Sequence, residues 1–275
     1  MIDQEVKEFI FRTWASNNAD RFPGPQPISL ERKHFAYIAK EKYFVCEKTD
    51  GVRHFLVCFT DSQARKICGL VNRKMEFTLY SLTVPRDTLL DGELLDGVFV
   101  VHDAVCIKGE NLMNEPLTTR LEKAREMIKF IVPTPKLAVQ CKTMIPVYCV
   151  RDIVLDPKKM DGLIFTPCNE PIRMGTHRTM FKWKPIENIT IDFWVSESAH
   201  LCIQNNGRMN AVQKCPGAPR DSILECYFSG GEWKPLKIRE DKNHPNNKMT
   251  YERTMVNIKE NIQFCELGLF FGKKT

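Results

Sequence analysis

Strand-like segments follow one another closely over residues 43–107, and this run constrains the fold more than any other feature of the sequence. Each segment is rich in β-branched and aromatic residues, and only a few residues separate it from the next. Connections this short favour antiparallel pairing, because parallel strands need a long crossover. The predicted strands are residues 43–48, 54–60, 66–72, 76–83, 88–95 and 97–107. The sequence therefore predicts a mainly antiparallel sheet.

Helical patterns flank this run of strands. Apolar residues recur at spacings of three and four over residues 3–15, which predicts an amphipathic helix. Residues 118–131 show a similar stripe and begin with Thr119 and Glu122, which are spaced as in a capping box. Residues 250–265 form a further predicted helix. Helices and strands in separate stretches are typical of the α+β class.

The pattern of the sequence changes after Pro185. Short strand-like pieces alternate with turns rich in glycine, asparagine and proline over residues 189–230, a pattern typical of a small β-barrel. We therefore predict two domains, one at residues 1–188 and one at residues 189–275. We expect the C-terminal helix of the second domain to pack back on the first.

Composition limits the class of protein. The chain has 275 residues, 43% of them apolar and 27% charged, as in ordinary globular proteins. Its formal charge of +6 permits a polyanionic partner without demanding one. No apolar run reaches the roughly 20 residues of a membrane helix, so we expect an intracellular protein with no membrane partner. The eleven cysteines include no Cys-x-x-Cys pair, which favours buried thiols over disulfides or a zinc site.

The segment Glu47–Arg53, Glu-Lys-Thr-Asp-Gly-Val-Arg, carries the strongest chemical signal. Apolar strands flank it and Asp50-Gly51 is a turn signal, so Lys48 lies where a strand ends. Burial and the nearby charge of Arg53 both favour loss of the Lys48 proton, and a neutral amine is a nucleophile. The alternative interpretation is a hairpin in which Lys48 and Arg53 are solvated.

The segment 22–30 holds three prolines and one glycine, which exclude a helix and stiffen the chain. Two interpretations remain open at this point. The segment is either a linker or a rigid strap across a binding cleft.

Four cations have the pattern of an anion-binding site. Lys182 and Lys184 lie two residues apart on a predicted strand, so their side chains share a face. The charges of this pair would lower the Lys48 pKa further. Arg53 and Arg73 each carry a guanidinium, which can hold two ligand oxygens at once. Phosphate and ribose oxygens are the ligands that such a group fits.

Two carboxylates lie beside apolar strands, and each is adjacent to a glycine that permits close approach of a ligand. Glu93 and Asp161 could bind ribose hydroxyls or a hard metal ion, since magnesium prefers carboxylate and phosphate oxygens. We predict Asp161 on the metal side and Glu93 at the ribose. Asp103 has a supporting role or a structural one.

Seven elements occur in order and together resemble the covalent lysyl-nucleotidyltransferases, the family of mRNA capping enzymes and ATP-dependent polynucleotide ligases. The resemblance covers about residues 20–250. It is greatest to the capping guanylyltransferases, because of segment 22–27, the Phe181–Pro185 signature and the Arg239–Asn246 element. The seven elements are Lys48–Arg53, Asn72–Lys74, Leu90–Leu94, His102–Ala104, Asp161–Phe165, Phe181–Pro185 and Trp233–Asn246.

The resemblance implies a fold and a reaction. The fold is an antiparallel nucleotidyltransferase domain with the ATP-grasp-like core of ligases, followed by a small OB-fold barrel. Lys48 would attack the α-phosphorus of GTP, release pyrophosphate and retain GMP through a phosphoramidate bond. The 5′-diphosphate end of an RNA would then take the GMP and form the GpppN cap. The implied cofactor is Mg²⁺ or Mn²⁺.

The resemblance also implies a role for each site residue. The catalytic residues would be Lys48, Arg53, Lys182, Lys184, Arg239, Asp241 and Lys242. The nucleotide-binding residues would be Thr49, Arg53, Arg73, Glu93, Asp103, Lys182 and Lys184, and the metal ligands Asp161 and Glu93. The element around Arg239 would close over the nucleotide and hold the β- and γ-phosphates.

Two alternatives to a guanylyltransferase remain: an ATP-dependent polynucleotide ligase, or a catalytically silent relative that binds RNA or a polymerase tail. The partners implied by the resemblance are GTP, 5′-diphosphate RNA, the phosphorylated tail of RNA polymerase II and an RNA triphosphatase. A cellular enzyme of this kind would be nuclear, and a viral one would work in a viral factory or virion.

Overall fold

The computed structural model describes residues 2–16, 22–154, 156 and 160–272. This part of the chain divides into two compact units. The first takes in the residues up to 28 and residues 40–182, and the second takes in residues 29–39 and 183–272. The predicted boundary at residue 188 and the predicted packing of the C-terminal helix on the first domain stay predictions.

The bounds of the elements are as follows. In the first part of the chain the strands are β1 Pro25–Ser29, β2 Tyr43–Thr49, β3 Val52–Thr60, β4 Lys66–Asn72, β5 Phe77–Leu79, β6 Thr88–Leu95, β7 Val98–Ile107, β8 Glu110–Asn111, β9 Ala138–Cys141, β10 Ile145–Pro146, β11 Met160–Pro167 and β12 Gly175–Trp183. They are followed by β13 Thr190–Val195, β14 His200–Asn205, β15 Arg208–Lys214, β16 Ile223–Ser229 and β17 Glu232–Ile238. The helices are α1 Ile2–Thr13, α2 Phe35–Lys40, α3 Leu117–Ile128, α4 Lys248–Glu260 and α5 Phe264–Phe271.

Within the described residues, the first unit is built on two sheets. One has the strand order β1-β12-β11-β2-β10, and the other has the order β5-β4-β3-β6-β7-β8 with β9 added beside β7. The register of β2 with β11 and of β3 with β4 and β6 is antiparallel, whereas β9 runs parallel to β7. The predicted α+β fold with mainly antiparallel sheets is confirmed.

The strands on either side of Asp50-Gly51 belong to different sheets. β2 pairs with β10 and β11, whereas β3 pairs with β4 and β6, so the alternative hairpin interpretation of this segment is wrong. A Cβ atom on Gly51 would lie 2.8 Å from the Leu94 carbonyl oxygen, too close for any other residue without a backbone shift. Lys48 therefore lies just before the point where the chain leaves one sheet and enters the next.

Both faces of the β3 sheet are covered by apolar packing. Phe55, Val57 and Phe59 contribute to a cluster that includes α1, and the rings of Phe9 and Phe59 stack 4.9 Å apart. The alternate residues Leu56 and Cys58 contribute to a second cluster that includes the buried face of α3. Period-two alternation along β3 therefore fixes the sheet between two apolar layers.

Helix α3 begins differently from the prediction. Its N-cap is Pro116, without a side-chain capping hydrogen bond, so Thr119 and Glu122 lie inside the helix and the predicted capping box is wrong. Proline has no N–H and a fixed φ, so it is compatible with the start of a helix.

The second unit contains a five-stranded antiparallel sheet within its described residues, in the order β15-β14-β13-β16-β17. Its apolar core includes Phe193 and Trp233, whose rings meet edge to face at 5.2 Å. The single helix predicted over residues 250–265 is wrong, because α4 ends at Glu260, its C-cap Asn261 adopts φ 41°, and α5 follows as a separate helix.

Residues 29–39 contact helices α4 and α5 of the second unit. The Arg32 guanidinium donates to Glu266 at 2.5 Å, and the Asn257 side-chain amide donates to the Leu30 carbonyl at 2.7 Å. Phe35 packs against Phe270 at 5.0 Å between ring centroids. A segment close to the start of the chain therefore completes a unit formed mostly by its last third.

A buried ion pair joins α3 to the β3 sheet. Arg120 donates from Nε to Asp103 Oδ1 at 2.7 Å and from Nη2 to Asp103 Oδ2 at 3.0 Å. The two side chains are 2% and 5% exposed. Arg120 also donates to the Glu115 carbonyl. A charge this deeply buried is tolerated only because its partner is present.

We expect Arg120→Met to lower the free energy of unfolding by about 3–5 kcal/mol, because it leaves the Asp103 carboxylate buried without its counter-charge. Urea unfolding of the two proteins measures the difference. Lys129→Met is the matched control, since Lys129 lies just after the same helix and is 64% exposed. The control should change stability by less than about 0.5 kcal/mol. Equal losses of unfolding free energy in the two variants would contradict a stabilising role for the buried pair.

Candidate active site

A cavity of about 420 Å³ lies in the first unit at the Lys48 end of β2. Strands from both sheets contribute to its wall, together with the prolines of β1. Its volume lies in the range of pockets that enclose a small-molecule ligand. The polar side chains that line it include Gln26, Lys48, Thr49, Arg53, Arg73, Glu93, His102, Asp103, Lys142 and Lys182.

Lys48 contacts the carboxylate of Asp161, with Nζ 2.7 Å from Oδ2. A β-bulge produces this contact. Met160 pairs with Thr49 and Gly162 pairs with Lys48, so Asp161 is the extra residue between two paired positions. Gly162 adopts φ 145°, a conformation that favours glycine. The bulge turns Asp161 towards Lys48, so the nearest charged group to the amine is an anion and not the like charge that the sequence led us to expect.

Three groups contact the Arg53 guanidinium: the Asp91 carboxylate, the Pro25 carbonyl and the Phe22 ring. Its Nε and Nη2 atoms donate to Asp91 at 2.9 and 2.5 Å, and Nη1 donates to the Pro25 carbonyl at 2.5 Å. The guanidinium also lies 5.2 Å from the centre of the Phe22 ring. Burial alone would lower the pKa of Arg53, but the Asp91 carboxylate raises it above its usual value. These contacts use three of the five N–H donors, so at most two can bind a ligand.

The proline-rich segment supplies part of the cavity wall. Its residues 25–29 form β1, an edge strand beside β12, and Gln26 accepts a hydrogen bond from Arg73 Nη2 at 3.1 Å. A Cβ on Gly24 would lie 2.6 Å from Arg53 Nη2, so the chain can approach the guanidinium only with glycine at this position. Of the two interpretations of this segment, its contacts with Arg53 and Arg73 favour the strap.

Glu93 lies opposite Arg53 in the register of β6 with β3 and lines the cavity. Burial raises the pKa of Glu93 above its ordinary value of 4.5, although the charges of His102, Lys48, Lys142 and Arg53 oppose that rise. The carboxylate therefore stands in a mostly cationic and partly desolvated surrounding. Desolvation disfavours the charged form of Glu93 in the free protein and outweighs the cations, and hydrogen bonds donated by a ligand would favour the charged form.

Two cavity residues received no role from the sequence. Lys142 donates to the Thr49 hydroxyl at 2.6 Å, and it follows β9 in a stretch where the sequence predicts no element. His102 lies with Nε2 3.5 Å from Asp91 Oδ1. It is the bulged residue between the pairs Asp103–Asp91 and Val101–Gly92, so simple alternation along β7 could not show its direction. The element His102–Ala104 was the only signal for it.

Asp103, Lys182 and Lys184 differ in their placement. Asp103 lines the cavity, but Arg120 contacts both of its oxygens, which favours a supporting role over direct ligand binding. Lys182 lines the cavity near the end of β12. Lys184 follows that strand, belongs to the second unit and is absent from the described lining of the cavity. The roles predicted for these residues stay predictions.

Arg239, Asp241 and Lys242 follow β17 in the second unit and are held together there by charge. Arg239 donates from Nε and Nη2 to Asp241 at 2.8 and 2.7 Å, and its hydrogen bonds hold the pKa of Asp241 below the usual range. Arg239 Nη1 also lies 3.1 Å from Asp192 Oδ1, and Lys242 pairs with the other Asp192 oxygen. The buried Asp192 therefore binds both cations of this element.

Other expectations concern metals, thiols and membranes. Among the described residues, no group of three or more His, Cys, Asp and Glu side chains is arranged to hold a metal ion. All eleven cysteines are free thiols. The described helices include none that is long and apolar enough to cross a membrane.

The Lys48 amine contacts a carboxylate and lines a cavity with further cations, an arrangement that suits a phosphate-bearing ligand. The comparison with known proteins gives the family. The family model "mRNA capping enzyme, catalytic domain" matches residues 2–186, and "mRNA capping enzyme, C-terminal domain" matches residues 176–267. The chain belongs to the mRNA capping enzyme family.

Individual relatives agree with this assignment. The mRNA-capping enzyme subunit alpha of Neurospora crassa is 25% identical and covers 90% of this chain and 83% of its own length. The protein of the same name from Schizosaccharomyces pombe is 25% identical over 88% and 78%. The mRNA-capping enzyme of Caenorhabditis elegans is 24% identical over 87% of this chain and 48% of its own length. The predicted enzyme class, an mRNA guanylyltransferase with GTP and RNA as substrates, is confirmed.

The raised pKa of Glu93 predicts how this carboxyl affects stability. Below pH 4.5 both the folded and the unfolded chain carry protonated Glu93, and burial costs nothing extra. As the pH rises, the unfolded chain ionises first, so stability falls until the folded-state pKa is passed. We expect Glu93→Gln to remove this loss, so the gain in unfolding free energy should be larger at about pH 8 than at about pH 5.

Urea unfolding at the two pH values tests this expectation. Glu126→Gln is the control, because Glu126 is 62% exposed on α3 and lies outside the cavity. The control should give the same small difference at both pH values. A gain in Glu93→Gln that did not grow with pH would contradict the assigned direction of the pKa shift.

Proposed function

We propose that Lys48 is the nucleophile of this guanylyltransferase and that it carries GMP between GTP and RNA. The observation that supports this assignment is that Lys48 lines the cation-rich cavity and that its amine contacts the Asp161 carboxylate at 2.7 Å. In the first step the Lys48 nitrogen bonds to the α-phosphorus of GTP, and the bond from that phosphorus to the bridging oxygen of the β-phosphate breaks. Pyrophosphate leaves with the electron pair.

Asp161 has a direct part in this step. Lys48 must lose a proton before its nitrogen can attack, and Asp161 Oδ2 is at hydrogen-bond distance from that nitrogen. We infer that Asp161 orients the amine and accepts its proton before attack, and the nitrogen loses a second proton to solvent as the nitrogen–phosphorus bond forms. In the second step a β-phosphate oxygen of the RNA end attacks the same phosphorus, the nitrogen–phosphorus bond breaks, and Lys48 regains both protons.

The cations of the cavity stabilise the phosphate charge. Arg53 is held rigidly by Asp91 and the Pro25 carbonyl, and Arg73 is oriented by Gln26, so both are in place before the ligand arrives. Phosphate transfer gains most of its acceleration from positioning and charge neutralisation. Lys182, which also lines the cavity, supplies a further positive charge.

The remaining proposed nucleotide contacts come from the Glu93 carboxylate and from residues of the second unit. Glu93 suits the ribose hydroxyls, since it accepts hydrogen bonds in a partly desolvated site. Arg239, Asp241 and Lys242 form a charged group that suits the β- and γ-phosphates. Lys184 completes the set of proposed phosphate contacts.

A divalent cation fits two carboxylates near Lys48: Asp161, which contacts the Lys48 amine, and Glu93, which lines the cavity. Asp161 and Glu93 are carboxylates, and magnesium or manganese takes oxygen ligands, with water and phosphate oxygens as the rest of the shell. Asp161 would hold the ion and Glu93 would assist. When bound, such an ion neutralises phosphate charge and favours departure of pyrophosphate.

The partners proposed beyond GTP and RNA are an RNA triphosphatase, which would supply the 5′-diphosphate end, and the phosphorylated tail of RNA polymerase II. The name "subunit alpha" of several relatives supports assembly with another subunit. The eukaryotic relatives support a nuclear place of action. The family matches favour capping over the ligase alternative.

We expect Lys48→Arg to abolish the covalent adduct, because a guanidinium stays protonated and cannot act as a nucleophile. The assay is incubation with α-labelled GTP or ATP and a divalent cation, followed by denaturing electrophoresis. Wild-type protein should be labelled by GTP and not by ATP. Lys74→Arg, an exposed lysine that does not line the cavity, is the control and should label normally. A normal adduct in Lys48→Arg would assign the nucleophile to another residue.

We expect Arg239→Ala to block adduct formation from GTP but to spare GMP transfer from a preformed adduct to RNA, since only the first step involves the β- and γ-phosphates of GTP. The two half-reactions are measured separately: adduct formation is timed at low GTP concentration, and adduct for the second step is accumulated from slow residual formation over a long incubation at high GTP concentration. Lys237→Ala is the matched control, because this exposed cation lies two residues away and contacts Glu225 at 3.5 Å. Equal losses in both half-reactions would contradict the role given to Arg239.

A further inference from the structure

A smaller cavity of about 290 Å³ borders the nucleotide cavity in the first unit. Its floor is apolar and its rim is polar, and the residues that line it are Phe44, Leu117, Thr118, Leu121, Glu122, Arg125 and Met144. Among the described residues, Met144 alone lines both cavities. Met144 is therefore part of the wall between them.

The register of the strands places Met144 relative to Lys48. Residues 46–49 of β2 line the nucleotide cavity, whereas Phe44 of the same strand lines the smaller one. Met144 directly precedes β10, in which Ile145 pairs with Val45. The same register puts Met144 level with Cys46, about 7 Å along the strand from Lys48.

The wall of the nucleotide cavity changes from charged to apolar residues over that distance. Lys48 and its partner Asp161 are charged, whereas the residues level with Cys46 are apolar: Ile164 pairs with Cys46 from one side, and Met144 lies on the other. A nucleotide joined to Lys48 through its α-phosphate would place its charged part at the first position. The apolar level suits the base of that nucleotide, and Met144 lies at this level.

We propose that Met144 is a specificity-determining residue that limits the size of the nucleobase by closing the nucleotide cavity against the smaller one. This inference rests on the proposed function of Lys48. Methionine has a flexible, unbranched side chain, so it can close an irregular gap between two cavities without a rigid fit. Replacement by alanine removes most of that side chain and joins the two spaces.

The test uses Met144→Ala and GTP analogues that carry a benzyl group on the base at the N2, O6 or C8 position. Intact-protein mass spectrometry measures the fraction of protein that carries each nucleoside monophosphate. For at least one analogue, the adduct yield relative to GTP should rise roughly tenfold or more over wild type. This matches the roughly 10- to 200-fold effect that one methylene group has in an apolar pocket.

Two variants control the experiment. Met180→Ala removes the same side chain from the nucleotide cavity without opening the smaller one, since Met180 lines only the former. It should leave the preference for GTP over the benzyl analogues close to that of wild type. Met144→Leu keeps a side chain of similar size, so it should also keep the wild-type preference and show that a change at this position does not by itself disturb the fold.

The outcomes separate this inference from the proposed function. If wild-type protein and Met144→Ala both form the GMP adduct but no benzyl analogue gains, the role of Met144 as a partition is wrong and the role of Lys48 stands. An equal gain in Met180→Ala would also overturn it, because enlargement anywhere in the cavity would then suffice. If wild-type protein forms no adduct with GTP under any condition, the proposed function itself fails.

Discussion

The contact between Lys48 and Asp161 is the interaction on which the rest of the site depends. It requires two departures from regular sheet geometry. The chain changes sheet at Asp50-Gly51, which puts Lys48 near the end of β2 just before the chain enters the other sheet, and a bulge in β11 turns Asp161 towards it. Glycines permit both, since a side chain at Gly51 would meet the Leu94 carbonyl and Gly162 adopts φ 145°. A strictly regular hairpin would have left the lysine in solvent.

The polar groups around this contact are positioned before any ligand binds. Arg53 is fixed by Asp91 and the Pro25 carbonyl, Lys142 by the Thr49 hydroxyl, and Asp103 by Arg120. Fixed charges of this kind need little reorganisation when charge develops on a reacting phosphate, which is the main source of electrostatic catalysis. The arrangement has a cost, because the partly buried Glu93 is disfavoured as an anion in the free protein. Glu93 therefore lowers the stability of the free protein, and it is a residue that we propose to contact the ligand.

Much of the fold followed from the sequence, and the failures have identifiable causes. The strands at 43–48, 54–60, 66–72 and 88–107 were predicted nearly as they are, because alternation and buried apolar runs report local structure directly. The sheet change at Asp50-Gly51 was not predicted, since it depends on partners far along the chain. The α4–α5 break at Asn261 was missed because both helices share an apolar periodicity. Lys142 could not be found, because its stretch shows no period and its role comes from tertiary contact alone.

The association of residues 29–39 with the second unit has a consequence for how the protein is made. Arg32 and Glu266 are 234 positions apart in the sequence, so a ribosome must release most of the chain before this contact can form. Loop closure over such a distance is slow compared with the pairing of neighbouring strands. Residues 29–39 therefore lack these contacts while the strands after them are synthesised and pair. No single cut in the sequence separates the two units, so neither can be expressed as one uninterrupted fragment without losing or gaining part of the other.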